Sequence, residues 1–510
     1  MNASVRFGSQ ALALEDLVAL AEGRARADLQ DDAAFRDGIA RGALFVESLL
    51  AREGSVYGIT TGYGDSCVVA VPLAQVAALP RQLYTFHGCG LGRHLDPAAT
   101  RAVLAARLQS LCQGVSGVRV ELLERLTAFL REDLLPLIPE EGSVGASGDL
   151  TPLSYVAAAL CGERQVLWRG QVREAADVHA ELGWTPLVLR PKEALALMNG
   201  TAVMTGLACL AFARAEYLLR LATRITALNV VALAGNPEHF DQRLFAAKPH
   251  PGQGQVAAWL RADLAAEGPA APLHRLQDRY SLRCAPHVLG VLADSLPWLR
   301  QFIETELNSA NDNPLIDAED ERVLHGGHFY GGHIACAMDS LKTLVANVAD
   351  LLDRQLALLV DARYNHGLPG NLSGAPAERA MLNHGFKAVQ IGASAWTAEA
   401  LKGTLPASVF SRSTECHNQD KVSMGTIAAR DALRSLELSE QVAAATLLAA
   451  QQGVWLRQRQ EDARPLPAPL AAMHSELAAT FPPLIEDRAL EGELRLCLEQ
   501  IRNRHWRLYA

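Results

Sequence analysis

Residues 336–362 read CAMDSLKTLVANVADLLDRQLALLVDA, and this run determines the fold class of the 510-residue chain. Its apolar residues recur every three or four positions, which is the spacing of one face of an α-helix. They are Met338, Leu341, Leu344, Val345, Val348, Leu351, Leu352, Leu356 and Leu359. The pattern predicts a helix of about 25 residues whose wide apolar face needs partner helices on several sides.

Similar helical patterns cover 201–233, 285–308 and 429–458. Few segments alternate with a period of two residues, and only 164–174 is typical of a small hairpin, with Gly170 in its turn. The chain before residue 200 is instead rich in glycine, which marks backbone that needs special dihedral angles or a close approach. We therefore predict a mainly α fold, with a mixed, glycine-rich N-terminal part at 1–200 and a long central helical bundle with C-terminal helices at 201–510, in one continuous unit.

Composition excludes several classes of protein. Hydrophobic residues make up 49% and charged residues 20%, and the net charge is −9 without a basic run, so nucleic acid is not an expected partner.

The most apolar window, near 201–235, is interrupted by Arg214, Glu216, Arg220 and Arg224, which argues against a membrane span. The nine cysteines lack CxxC spacing and no secretory segment is apparent, so we expect free thiols and a cytoplasmic protein.

The most unusual stretch is GSVGASGDLTPLS at 142–154. Its small residues are compatible with a tight turn that leads into a helix. In that interpretation Asp149 or Thr151 caps the helix and Pro152 occupies its first position.

Eight blocks of the chain, this stretch among them, resemble the histidine, phenylalanine and tyrosine ammonia-lyases, in the order of that family. The other seven are YGITTGYG at 57–64, SLCQGVSGVR at 110–119, MNGTAV at 198–203, QDRYSLRCAPHVLG at 277–290, NSANDNPL at 308–315, GGHFYGGH at 326–333 and HNQDKVSMG at 417–425. Together they span most of the chain.

The resemblance implies that Ala146, Ser147 and Gly148 cyclise, with loss of two waters, into 4-methylidene-imidazol-5-one (MIO). Such an enzyme needs this group because expelling ammonia from an α-amino acid requires a strong electrophile, and no ordinary side chain is one. A family member of this kind needs neither pyridoxal phosphate nor a metal. The neighbouring His325, His328 and His333 lack the spacing of a zinc site, and His328 replaces the asparagine usual in the family.

Residue roles follow from the resemblance one position at a time. Tyr57 matches the base that removes the β-hydrogen, which requires neighbouring dipoles or positive groups to stabilise its phenolate. Arg283 matches the arginine that binds the substrate carboxylate. The remaining matched positions surround the prosthetic group and the substrate: Tyr280, counted with the catalytic residues, and Asn199, Gln277 and Phe329.

Substrate choice in the family is attributed largely to the pair at Phe86 and His87. At these two positions histidine lyases carry Ser-His, tyrosine lyases His-Leu and phenylalanine lyases Phe-Leu. This chain therefore combines the Phe of the phenylalanine lyases with a histidine. His87 can satisfy a buried phenol hydroxyl, which would otherwise cost about 1–3 kcal/mol. Gln419 stands where histidine-specific members carry a glutamate. We therefore predict deamination of L-tyrosine to 4-hydroxycinnamate (p-coumarate) and ammonia.

Several alternatives stay open. Phenylalanine or histidine could be the substrate, and an aminomutase uses the same prosthetic group. The fumarase and argininosuccinate-lyase superfamily lacks support, because its Gly-Ser-Ser loop is missing. A catalytically dead helical scaffold is the non-enzyme alternative. The resemblance also implies a homotetramer whose sites draw residues from several subunits.

Overall fold

The computed structural model describes residues 3–52, 56–265, 275–461 and 463–509. Its α-helices are α1 (Leu14–Ala21), α2 (Ala33–Ala51), α3 (Leu73–Val76), α4 (Leu79–Phe86), α5 (Pro97–Leu111), α6 (Val120–Arg131), α7 (Leu150–Leu160), α8 (Ala175–Glu181), α9 (Glu193–Met198), α10 (Ala202–Ala232), α11 (Gln242–Ala247), α12 (Pro251–Leu264), α13 (Tyr280–Arg283), α14 (Ala285–Leu307), α15 (Gly332–Val360), α16 (Lys387–Lys402), α17 (Gly425–Arg457), α18 (Ala468–Thr480) and α19 (Glu491–Arg502). The prediction of a mainly helical chain is confirmed, and each of the four long helices lies within four residues of its predicted bounds.

The strands are short. They are β1 (Ala3–Phe7), β2 (Ala25–Leu29), β3 (Leu91–His94), β4 (Leu135–Pro136), β5 (Pro139–Glu141), β6 (Gln165–Trp168), β7 (Gln171–Glu174), β8 (Leu315–Asp317) and β9 (Arg322–Leu324). The predicted hairpin is confirmed as the antiparallel pair β6–β7, with Gly170 at φ +75° in its turn. The parallel pair β1–β2 and the antiparallel pairs β3–β5, β4–β6 and β8–β9 were not predicted, because strands of two to five residues are too short to show alternation.

Contacts group the chain into two compact units. The first unit comprises residues 1–213, 300–339 and 406–430. The second comprises residues 214–299, 340–405 and 431–510. The predicted division between residues 200 and 201 remains a prediction.

In the second unit, long helices are tied together by buried polar side chains as well as by apolar contacts. Ser439 of α17 donates to the carbonyl of Val345 on α15 over 3.1 Å. Asn229 of α10 donates to Oε1 of Gln355 on α15 over 2.8 Å. Buried polar groups of this kind need partners, so these bonds fix how the helices align.

Helix α10 is long and apolar enough to cross a membrane by length and composition, as judged over the described residues. However, 78% of its most apolar window is buried inside the protein. Its character is therefore that of a core helix.

The first unit has its own apolar core, in which α2 packs against the segment that carries Tyr57. Phe45 and Val46 of α2 contact Val56, Ile59 and Ile316 in one buried cluster. The backbone on either side of Tyr57 is thus anchored by Val56 and Ile59, while the tyrosine ring remains half-buried.

Candidate active site

The loop that carries Ala146, Ser147 and Gly148 is paired on one side with Gly200. Gly148 and Gly200 form a parallel bridge, and the N–H of Asp149 donates to the Gly200 carbonyl over 2.8 Å. Gly148 has φ +72°, and a Cβ added to it would lie 2.1 Å from the Gly200 oxygen. Only glycine is compatible with this approach.

The other side of the loop is held by the segment that leads into α17. The N–H of Met424 donates to the Val144 carbonyl over 2.9 Å, and that of Ser423 donates to the Gly145 carbonyl over 3.2 Å. The loop is therefore restrained from both sides, which holds a tight backbone conformation in place.

Asp149 connects this loop to the start of α10. Its carboxylate is fully buried and accepts the N–H groups of Val203 and Met204 over 3.1 and 3.0 Å. It also accepts hydrogen bonds from the hydroxyls of Ser143 and Thr426. Burial raises the pKa of this carboxyl, and the hydrogen bonds that it accepts oppose the rise.

The expectation that Asp149 or Thr151 caps the next helix by its side chain is wrong for Asp149. Asp149 precedes α7, but its side chain caps α10 instead. Pro152 is the third residue of α7 and not the first. Local sequence could not show this, because the capped helix begins about fifty residues later.

Ser147 is contacted by two of the predicted site residues. Asn199 donates from Nδ2 to the Ser147 carbonyl over 2.7 Å, and Gln419 donates from Nε2 to the Ser147 Oγ over 3.1 Å. The Oε1 of Gln419 in turn accepts from the Thr414 hydroxyl over 2.9 Å. The structure thus brings together Asn199, Gln419 and Ser147 from three distant parts of the chain.

Tyr57 lies in the same unit, and its hydroxyl oxygen accepts a hydrogen bond from a backbone N–H group. The N–H of Gly64 donates to the Tyr57 Oη over 2.9 Å, and the Tyr57 ring lies edge-on to His325 at 6.3 Å between centroids. This bond lowers the pKa of Tyr57, but burial and the nearby Glu415 carboxylate outweigh it, so the pKa is raised. The expected dipole is present, while the Glu415 carboxylate is negative and opposes the phenolate.

The two residues predicted to select the substrate lie at the end of α4. Phe86 is its last residue and His87 is the C-cap, with ring centroids 4.2 Å apart. The His87 Nδ1 lies 2.9 Å from the Leu83 carbonyl, which can only accept a hydrogen bond. Burial lowers the pKa of His87, so the neutral ring carries its proton on Nδ1 and leaves Nε2 as an acceptor.

The other predicted residues are distributed over both units. Phe329 is half-buried in the first unit. Gln277, Tyr280 and Arg283 belong to the second unit, around the single turn α13. There the Arg283 guanidinium lies 4.8 Å from the centre of the Tyr280 ring and donates from Nε to the Asp278 carbonyl over 2.9 Å. Tyr280 is 72% exposed.

Comparison with known proteins identifies the family. The sequence model of the family described as "Aromatic amino acid lyase" matches residues 12–479. The chain belongs to that family. The lyase is 37% identical over 503 residues to the histidine ammonia-lyase of Caenorhabditis elegans, covering 96% of this chain and 72% of that relative. It is 37% identical over 497 residues to that of Gloeobacter violaceus, covering 97% and 95%.

A solved structure agrees with the sequence relatives. The crystal structure of tyrosine aminomutase from Streptomyces globisporus matches the lyase with a TM-score of 0.90 and 34% identity, covering 99% of this chain and 97% of that one. The family resemblance seen in the sequence is confirmed. The lyase is an enzyme that breaks carbon–nitrogen bonds, of the ammonia-lyase class.

Sequence reasoning missed a set of fully buried charges in the first unit of the lyase. Arg107, Lys192 and Asp312 are all buried, and the Lys192 ammonium lies 2.5 Å from an Asp312 carboxylate oxygen. Burial lowers the pKa of Lys192 and lowers that of Arg107 to about 10. Arg107 carried a signal in the sequence, because it interrupts the otherwise uncharged run AVLAARLQSL at 102–111.

Glu415 was also missed. Its carboxylate accepts the N–H of Asp65 over 2.8 Å, next to the N–H of Gly64 that binds Tyr57. The segment that carries Gln419 thereby also contacts the Tyr57 loop. Among the residues that the structure describes, no three His, Cys, Asp or Glu side chains are grouped so that they could hold a metal ion.

Proposed function

We propose that this lyase deaminates L-tyrosine to 4-hydroxycinnamate and ammonia, using an MIO group that it builds from Ala146, Ser147 and Gly148. The observation that carries the proposal is the clamped loop, in which Gly148 lies so close to Gly200 that no side chain fits. A tight turn of three consecutive small residues, restrained from both sides, is the arrangement that we propose for cyclisation.

The residues present fit the prosthetic group. The Ser147 carbonyl, which the ring keeps, has a donor in Asn199. The Ser147 Oγ, which cyclisation expels as water, has a donor in Gln419 before the group forms. Formation of the group turns the Ser147 carbonyl into a ring carbonyl, and the Asn199 amide would remain bonded to it. When present, the group supplies the electrophile that draws electron density from the substrate.

The chain's own residues would bind the substrate and move its proton. Tyr57 would take the β-hydrogen, and the Gly64 N–H would stabilise the charge that forms on its oxygen. Arg283 would bind the substrate carboxylate through its planar fork of donors. Tyr280, Gln277 and Phe329 are proposed as further site residues from their match to the family's positions.

The substrate proposal depends on His87. With Nδ1 bonded to Leu83, its free Nε2 can accept the hydroxyl hydrogen of a phenol. The Phe86 ring beside it offers an aromatic wall. Gln419 is a neutral amide, so it offers no carboxylate to an imidazole. These features favour tyrosine over phenylalanine and histidine.

Three alternatives have support of their own. Histidine ammonia-lyases are among the relatives, and His87 also matches the histidine of their Ser-His pair. The aminomutase at a TM-score of 0.90 supports a reaction that returns ammonia to the β-carbon. A phenylalanine lyase is supported by the phenylalanine ammonia-lyase structures among the structural neighbours, at 28% identity, and by Phe86, which matches the first residue of their Phe-Leu pair. The described residues offer no observation in favour of an inactive scaffold.

We also propose a homotetramer in the cytoplasm. Tyr280 is largely exposed although it matches an active-site tyrosine, which is what a residue supplied to another subunit would show. The cysteines of the described residues are all free, as in a reducing compartment.

The test is an ultraviolet scan of the purified enzyme incubated separately with L-tyrosine, L-phenylalanine and L-histidine, with chromatography of the products. The expected result is an arylacrylate absorbance that grows fastest with tyrosine. Faster growth with histidine would overturn the substrate proposal. Accumulation of a β-amino acid in place of the acrylate would favour the aminomutase.

A further inference from the structure

Arg107 is a fully buried arginine that lies directly beneath the segment paired with the reactive loop. Its Nη1 donates to the Asn199 carbonyl over 3.0 Å. A Cβ on Gly200 would lie 2.1 Å from the same nitrogen. The guanidinium therefore fills the space under two consecutive residues, Asn199 and Gly200.

These two residues are the ones that hold the loop. Asn199 bonds the Ser147 carbonyl through its side chain, and Gly200 pairs with Gly148 and accepts the Asp149 N–H. Arg107 contacts neither Ala146, Ser147 nor Gly148 by any hydrogen bond in the structure. Its direct contact toward the loop is with the 199–200 segment.

A network of polar side chains in turn holds the Arg107 guanidinium in place. Its Nη2 donates to the Ser110 hydroxyl over 2.7 Å, and that hydroxyl donates to the Asn311 Oδ1 over 3.2 Å. The same Asn311 oxygen accepts the N–H of Thr201 over 3.4 Å. Arg107 and Asn311 thus bind the backbone on the two sides of Gly200, at Asn199 and at Thr201.

The positive charge of the guanidinium is a second reason for an arginine at position 107. The carboxylates of Asp312 and Asp149 lie close enough to act on Arg107, and they help to keep it protonated despite its burial. A buried guanidinium with fixed partners is rigid, because its planar fork is pre-organised for several bonds at once. An ammonium would keep the charge but could not span the Asn199 carbonyl and the Ser110 hydroxyl in the same way.

We propose that Arg107 is a positioning residue for maturation, which holds Asn199 and Gly200 where they press the loop into its cyclising geometry. The inference rests on the proposed function, because it concerns the formation of MIO. In that reaction the Gly148 nitrogen bonds to the Ala146 carbonyl carbon. The Ala146 oxygen leaves as water with the hydrogens of the Gly148 and Ser147 nitrogens, and the Ser147 hydroxyl leaves as water with the Ser147 α-hydrogen.

The experiment follows maturation by mass spectrometry of the peptide that contains residues 142–154, sampled over time after rapid purification. The variants are Arg107→Lys and Ser110→Ala, and thermal unfolding records whether each is folded. The matched control is Arg224→Lys, since Arg224 is a buried arginine of the second unit bonded to Asp263 over 2.8 Å.

Folded Arg107→Lys should lose the two waters at least about tenfold more slowly than the parent, the factor that a lost charge-assisted hydrogen bond carries. Ser110→Ala should slow the loss roughly fivefold, as expected for a neutral hydrogen bond. Arg224→Lys should mature at the parent rate.

A folded Arg107→Lys enzyme that matures at the parent rate would overturn the inference. If Arg107→Lys does not fold, Ser110→Ala decides, and a parent rate in that variant would overturn it equally. A parent enzyme whose peptide never loses two waters would instead refute the proposed function itself.

Discussion

Gln419 donates a hydrogen bond from Nε2 to the Oγ of Ser147 across 3.1 Å, although 272 positions of sequence separate the two residues. Its Oε1 is occupied by the Thr414 hydroxyl, so the amide has one orientation. A glutamate at this position could only accept from Ser147. Gln419 therefore orients the serine hydroxyl and leaves the site without a carboxylate at that point.

Gly148→Ala should give a folded but unmodified and inactive protein, because the new Cβ would lie 2.1 Å from the Gly200 oxygen. Mass spectrometry of the peptide that contains the loop would detect the missing modification. The matched control is Gly170→Ala, at φ +75° with nothing within 4 Å. That change should cost about 1–2 kcal/mol of unfolding free energy and leave maturation intact. A modified Gly148→Ala enzyme would contradict the close-approach argument.

Tyr57→Phe should mature normally and lose kcat by about 10²–10⁴-fold, the usual contribution of a general base. Burial and Glu415 raise the pKa of Tyr57 above its ordinary value of about 10, so the phenol is protonated at neutral pH. Its phenolate fraction therefore grows as the solution becomes alkaline. The kcat/KM of the parent should therefore increase from neutral into alkaline solution, and the residual activity of Tyr57→Phe should lack this limb. A parent profile that falls over the same range would exclude Tyr57 as the base.

His87→Leu should reduce the ratio of kcat/KM for tyrosine to that for phenylalanine by roughly 5- to 150-fold, which corresponds to a buried hydroxyl left without a partner. The ratio isolates selectivity from any general loss of activity. Phe86→Leu serves as the control, since it alters the apolar wall and leaves the His87 acceptor in place. An unchanged ratio in His87→Leu would show that the phenol bonds elsewhere.

The same ratio should be constant through neutral pH and fall only in acid. Burial lowers the pKa of His87 below its ordinary value of about 6.5, so Nε2 stays an acceptor above that lowered value. Protonation in acid replaces the acceptor with a donor, and the tyrosine preference then weakens. Tyr57 acts on both substrates alike and cancels from the ratio. A preference that strengthens in acid would mean that His87 donates to the substrate.

The long helices could be predicted from sequence because their apolar periodicity is sustained over many turns. Helix α15 (Gly332–Val360) is one example, whose repeating apolar residues set its limits to within four positions. The strand pair β8–β9 (Leu315–Asp317 and Arg322–Leu324) could not be predicted, because three residues carry too little pattern to reveal a strand. Its existence depends on tertiary contacts that the local sequence does not record.

The candidate site was predictable where a motif names a residue, and not where a partner comes from far along the chain. Ser147 and Asn199 were identified by their blocks, and the structure brings them within 2.7 Å. The carboxylate of Asp149 was assigned to the wrong helix, since its real partners begin at Val203. Arg107 was overlooked, because an arginine within a helix is ordinarily a surface residue and its one local signal, a charge in an otherwise uncharged run, was not used.

We propose above that the enzyme makes its own electrophile from Ala146, Ser147 and Gly148. The most direct measurement is the mass of the peptide containing residues 142–154, taken from the parent enzyme and from Ser147→Ala. We expect a parent peptide lighter than its sequence mass by two waters, and a Ser147→Ala peptide at its full sequence mass in an inactive protein. A parent peptide at full sequence mass, or a Ser147→Ala enzyme that still releases ammonia, would contradict it.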